Sequence, residues 1–260
     1  MVVNGVVNGN KIKPHVTAVI QARMQSKRLP GKAMLELAGK PLLAHVIERT
    51  QMMDGVDTVV VATCIGEENV PIIELAQSMN TEVFVGSVDN VLERYYLAAN
   101  EFGGDFIVRV TGDNPFTDPD YASMAVEISL ESGADLCSLN NLPLGTAVEV
   151  IKREALEVSY RSSDKSYHRE HVTPYIKEHT EMFRIERPAV YLKNHFPNLR
   201  LTVDTPEDYK LAKILYDTLY NGKCFTIHEV LRYLEHNPEL VYLNVGVKQR
   251  PMQHAERDYA

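Results

Sequence analysis

Short β-branched runs alternate with longer stretches of helical period through the first half of this chain, and that rhythm constrains the fold more than anything else in it. VTAVIQA (16–22), DTVVVAT (57–63), EVFVG (82–86) and DFIVRVTGD (105–113) read as strands. The second is a continuous valine run, as in a strand buried on both faces. PLLAHVIERTQMM (41–53), EENVPIIELAQSM (67–79) and NVLERYYLAANEF (90–102) read as the helices between them. In the first of these, Leu43, Val46, Ile47 and Thr50 share a face, and Pro41 suits the first helical position. DPDYASMAVEISLESG (118–133) is a helix with Asp118 as its N-cap, Pro119 in its first turn and Gly133 as its stop, followed by the strand DLCSL. Strand–helix repeats of this length imply parallel strands joined by right-handed crossovers. The expected fold class is α/β, a doubly wound, mostly parallel sheet with its sites at the carboxyl ends of the strands.

The rhythm changes after Asn140. TAVEVIK, MFRIERPA and LRLTVD read as strands, whereas EALEVSYR, EHVTPYIKEH, PEDYKLAKILYDTLY and TIHEVLRYLEHN read as helices, the last capped by Thr226. The expected organisation is one domain over 15–244 with a β-containing insert at about 140–200. Residues 1–14 form a flexible leader and residues 245–260 a tail without clear period. The 260 residues carry 27 Lys+Arg against 35 Asp+Glu, a net charge of −8, which argues against broad nucleic-acid or acidic-lipid binding. No apolar run reaches membrane-spanning length. Cys64, Cys137 and Cys224 are scattered without a C-x-x-C pair, as expected of reduced thiols in a cytoplasmic protein.

Against this acidic background, residues 21–32 hold four cations, Arg23, Lys27, Arg28 and Lys32, and no carboxylate. The stretch R-x-x-S-x-R-L-P-G-K follows a strand end, where backbone N–H groups near Gly31 and cationic side chains can wrap a polyphosphate. Pro30 stiffens the loop, and Gly31 permits close approach or a left-handed backbone. A P-loop is excluded, because Lys32 is followed by Ala33 and Lys40 by Pro41. The bland alternative is a solvated surface loop. Two aspartates stand out as well. Asp113 follows one strand and Asp204 another, and two carboxylates at one sheet edge can hold Mg²⁺. Asp204 and Thr205 are equally suited to cap the helix that begins at Pro206, with Asp208 as a first-turn charge. The D-x-D at Asp118–Asp120 reads as a helix start rather than a metal motif. His168 and His171 are too few for zinc.

IQARMQSKRLPGKAMLELAGKPLLAHVIER closely resembles the start of the cytidylyltransferases that make CMP-activated sugars, the octulosonate enzyme and the spore-coat polysaccharide biosynthesis protein F family above all. VDTVVVAT, GSVDNVLERY, RVTGDNPFTDP, REHVTPYI and LRLTVDTPEDY continue the resemblance in order. It implies a nucleotidyltransferase of the GT-A-like type that uses CTP and Mg²⁺. By the same resemblance Arg23, Ser26, Arg28 and Lys32 bind the triphosphate, Arg28 and Lys32 stabilise the departing pyrophosphate, and Asp113 and Asp204 hold the metal. Ala22 lies near the base through its backbone. Gly86, Asp89, Asn90 and Arg94 lie near the ribose and base, where Asp89 or Asn90 is also a natural helix cap. Arg169 and His171 become candidates for acceptor or dimer contacts.

The implied reaction transfers CMP from CTP to a hydroxyl-bearing small-molecule acceptor, a sugar acid, with release of pyrophosphate, in cell-surface polysaccharide precursor synthesis by a homodimer. Two departures leave the acceptor open. Ala147 stands where the spore-coat branch has an acidic residue, and Asn114 where the octulosonate enzyme has Glu. A glycosyltransferase that consumes a nucleotide sugar and a catalytically silent nucleotide-binding homologue remain alternatives at this point.

Overall fold

The computed structural model describes residues 6–7, 10–11, 13–193, 196 and 198–249. The apolar runs form one seven-stranded sheet: β1 (Val16–Gln21), β2 (Thr58–Cys64), β3 (Glu82–Gly86), β4 (Phe106–Thr111), β5 (Leu136–Ser138), β6 (Glu149–Lys152) and β7 (Ile185–Glu186). Their order is β7-β5-β6-β4-β1-β2-β3. Strand β6 runs antiparallel to both of its neighbours, and the remaining pairings are parallel. The sheet is therefore mostly parallel, as the alternating rhythm requires.

Helices cover both faces. Helices α1 (Leu42–Gln51), α2 (Val70–Ser78), α4 (Pro119–Ser132), α8 (Pro206–Leu219) and α9 (Ile227–His236) pack with Val16, Ala18, Ile20, Val108 and Val110 on one side. On the other, α3 (Val91–Phe102), α5 (Arg153–Ser162) and α7 (Pro174–Glu178) pack with Val19, Ala62, Ile107 and Ile151, and α6 (Ser166–His171) lies against α3. Alternate residues of one strand thus enter opposite cores. The segment 140–200 adds β6 and β7 to this same sheet and α5–α7 to its second face. Of the expected leader, Val6–Val7 and Asn10–Lys11 pair as a short antiparallel ribbon. Its residues 1–5, 8–9 and 12, like tail residues 250–260, lie outside the described residues.

Several expected elements differ in detail. Pro41 precedes α1 as its cap residue, with an extended ψ of 142°. EHVTPYIKEH is not one helix. Val172, buried and at φ 71° and ψ −54°, breaks it into α6 and α7, and Thr173 N donates to His171 O at 2.8 Å. This is a γ-turn of the strained, positive-φ form. LRLTVD is extended but not a strand. Leu201 N donates to Leu144 O and Val203 N to Asp113 O, so its backbone bonds go to two separate loops rather than one ladder. Its alternating Leu199, Leu201 and Val203 are buried all the same.

Asp118 settles the D-x-D stretch. One carboxylate oxygen accepts from Asp120 N and Tyr121 N at 3.1 and 3.2 Å, and the other from Ile227 N at 2.8 Å. It caps α4 and ties down the start of α9. Asp118→Ala should lower stability by about 2–4 kcal/mol, one lost cap plus one buried N–H left unpaired; urea denaturation reads this directly.

Candidate active site

The strand ends open into a cleft of about 1100 Å³. Ala22, Arg23, Ser26, Lys27, Arg28 and Lys32 line it from the loop after β1. That loop is shaped by Gly31, whose φ of 69° is left-handed, and Gly31 N donates to Met24 O at 3.0 Å. A neighbouring turn is held close by Gly112, where a Cβ would stand 2.8 Å from Gln21 O. Only glycine lets the end of β4 approach the end of β1 so nearly.

Two cations of the loop find carboxylates far along the chain. Lys32 Nζ donates to Asp113 Oδ2 at 2.7 Å, to Asp204 Oδ1 at 2.8 Å and to Val203 O at 3.0 Å. Arg28 Nη2 lies 3.1 Å from Asp204 Oδ2, and Arg200 Nη2 donates to that oxygen at 2.7 Å. Burial opposes charge on both Lys32 and Asp204. The two aspartates nevertheless hold the Lys32 pKa above its ordinary value, and Lys32, Arg28 and Arg200 hold Asp204 below its own. Asp204 is not the cap of α8. Thr205 is, and Asp208 closes a capping box with it. Asp208 is also buried against Arg200 Nε at 2.8 Å and Asn244 Nδ2 at 2.9 Å, so its role exceeds that of a first-turn charge.

Arg23 makes no ion pair among the described residues, and the buried Arg94 faces the same cleft with its Nε unpartnered. Gln21 Oε1, Arg109 Nε and Asn114 Oδ1 are further buried, unpartnered atoms on residues lining the cleft. Such atoms are costly unless a ligand or water meets them. Asn90 caps α3, accepting from Glu93 N at 3.0 Å, and is not among the lining residues; its neighbours Val91 and Arg94 are.

At the other end lies a charged group that the sequence alone did not disclose. Glu149 accepts from Arg109 Nη1 at 2.9 Å, from Thr173 Oγ1 at 3.0 Å and from Lys177 Nζ. His171 and Glu170 line this wall as well. Burial holds the His171 imidazole below its usual pKa. His168 points elsewhere, to Glu178 at 3.1 Å, and Arg169 is exposed. Gln249, from the expected tail, lines the cleft and accepts from Arg200.

The family model for cytidylyltransferases matches residues 17–241. The chain belongs to the cytidylyltransferase family. An uncharacterized protein of Methanocaldococcus jannaschii is 37% identical over 93% of this chain and 99% of its own length. The spore coat polysaccharide biosynthesis protein SpsF of Bacillus subtilis is 31% identical over 85% of this chain and 94% of its own. A cytidylyltransferase from Leptospira borgpetersenii superposes with a TM-score of 0.82 at 29% identity, over 88% of this chain and 97% of the other. This cytidylyltransferase is thus a CTP-dependent nucleotidyltransferase, with the GT-A-like fold expected of it. Among its described residues no helix is long and apolar enough to cross a membrane.

Burial raises the pKa of Glu149, but Arg109, Lys177 and the Thr173 hydroxyl outweigh it and leave the carboxyl below its usual value of 4.5. Its stabilisation is therefore complete above about pH 4.5 and is lost as pH falls through the lower folded value. Glu149→Gln should flatten this part of the acid limb. It should also cost about 2 kcal/mol at pH 7, because two half-buried cations lose a charged hydrogen-bond partner. Urea titrations between pH 3 and 7 measure both effects.

Proposed function

We propose that the chain transfers CMP from CTP to the hydroxyl of a sugar acid, with release of pyrophosphate, as a step in making precursors of cell-surface polysaccharide. The observation that carries this reading is the convergence of Lys32, Asp113 and Asp204 beside Arg23 and Arg28 in one cleft. A triphosphate fits the cationic loop. Arg23 and Ser26 hold it, while Arg28 and Lys32 offset the charge that grows on the departing pyrophosphate. Ala22 lines the base end through its backbone, and Asn90 shapes that end by capping α3.

Mg²⁺ suits the donor set, because two carboxylates from separate loops already meet on a single cationic atom, Lys32 Nζ. Hard oxygen ligands with positions left for phosphate and water are what that ion takes. Held by Asp113 and Asp204, it would neutralise charge at the α-phosphate. The acceptor oxygen attacks the α-phosphorus in line, the bond to the bridging oxygen breaks, and the hydroxyl proton leaves to solvent. Arg109, Lys177 and His171 form the donor-rich wall that receives the acid group of the acceptor. Asn114 and Ala147 bear on which acid is chosen. The working form is a cytoplasmic homodimer with two-fold symmetry, using the segment 140–200 as its contact surface.

A thermal-shift series with Mg²⁺ should show a larger rise for CTP than for ATP, GTP or UTP. Equal rises would reduce the cleft to a general anion trap. A pyrophosphate-release screen of CTP against sugar acids, phosphosugars, polyols and phosphonates identifies the acceptor, and no turnover with any sugar acid would count against that choice.

Asp113→Asn and Asp204→Asn should each lower kcat by about two to three orders of magnitude. The double variant should lose far less than the product, since both changes damage one site. Near-normal turnover per folded molecule with a lowered melting temperature would return both residues to structural roles.

A further inference from the structure

An ammonium group has three N–H donors, and those of Lys32 are all engaged, by Asp113 Oδ2, Asp204 Oδ1 and Val203 O. It has none left for a phosphate until it releases one of these partners. The surrounding charges balance: Lys32, Arg28 and Arg200 face Asp113, Asp204 and Asp208. A divalent ion entering alone would give this neutral cluster an excess of two positive charges. It would also have to displace Lys32 with nothing to receive it. A triphosphate supplies both the missing negative charge and a new partner for the displaced ammonium.

We propose that Lys32 is a tethered counter-cation in the seat of the divalent ion between Asp113 and Asp204, so that metal binds tightly only with a nucleotide triphosphate that draws Lys32 away. This rests on the assignment of Asp113 and Asp204 as metal ligands made above. Arg200 is unsuited to the part, because its Nε is fixed on the buried Asp208. Among the described residues the one carboxylate Arg28 pairs with is Asp204.

The test titrates Mn²⁺ alone, without nucleotide or acceptor, and reads the free ion by electron paramagnetic resonance. Lys32→Met should tighten Mn²⁺ at least about tenfold over the wild type, since a unit charge at contact distance is removed. Lys32→Arg, which keeps the charge, should stay near the wild type. Adding Asp113→Asn to Lys32→Met should abolish the gain. CTP should tighten Mn²⁺ less in Lys32→Met than in the wild type, as linkage requires.

Unchanged or weaker Mn²⁺ binding by folded Lys32→Met overturns the proposal. So does an equal gain in Lys32→Arg, or a gain that survives the second substitution. Melting curves establish folding, and Lys32→Gln replaces Lys32→Met if the latter does not fold. If CTP raises the wild-type melting temperature while Lys32→Met shows no gain, the proposal falls and the cytidylyl-transfer reading stands. If Lys32→Met shows the gain but no nucleotide stabilises the protein, the transfer reading falls while the competition at the aspartates remains.

Discussion

One ammonium group joins three stretches of chain that lie far apart in the sequence. Lys32 comes from the loop after β1, Asp113 from the loop after β4, and Asp204 from the extended approach to α8. Removing these charges from water is costly, and only close mutual pairing offsets it. Charge and the backbone bond from Val203 N to Asp113 O together bring the two carboxylates to one point. Helix α8 cooperates: Thr205 takes the cap and Asp208 the third position, so Asp204 does not turn back onto the helix N-terminus.

The parallel part of the sheet was legible because its strands carry β-branched runs and its helices carry caps. Asp118, Gly133 and Thr226 do what their positions announce. The cationic loop was legible because four positive residues without a local acid contrast with an acidic chain. The acids that answer Lys32 and Arg28 lie 81 (32 to 113) to 176 (28 to 204) positions away. No local pattern joins them, although Asp113 and Asp204 each looked unusual at a strand end.

What escaped has physical reasons too. LRLTVD has the alternation of a strand, yet Arg200 and Thr202 are buried along with Leu199, Leu201 and Val203, so the pattern does not mark one face of a sheet. Two loops can bury the same residues without a ladder. Arg109 and Glu149 sit inside ordinary-looking strand sequences, and they meet only because β6 pairs antiparallel with β4 in a register that sets them opposite each other. Lys177 and Thr173 join them through the γ-turn at Val172. A β-branched residue gives no warning of positive φ, and tertiary packing overrides its preference there.

The reversed direction of β6 has an architectural consequence. A strand running against its neighbours begins at the edge where they end, so Glu149 enters the cleft from the start of a strand while Thr111 and Gly112 enter from the finish of another. The wall carrying Glu149, Glu170, His171, Thr173 and Lys177 thus belongs to one continuous stretch of 29 positions, counted from 149 to 177. The cationic loop and the paired aspartates lie wholly outside that stretch. The cleft is built from two separate parts of the sequence, which meet along the pairing of β6 with β4, where Glu149 faces Arg109. Substitutions at these five wall residues alter one side of the cleft and none of the groups paired with Lys32, which are Asp113, Val203 and Asp204.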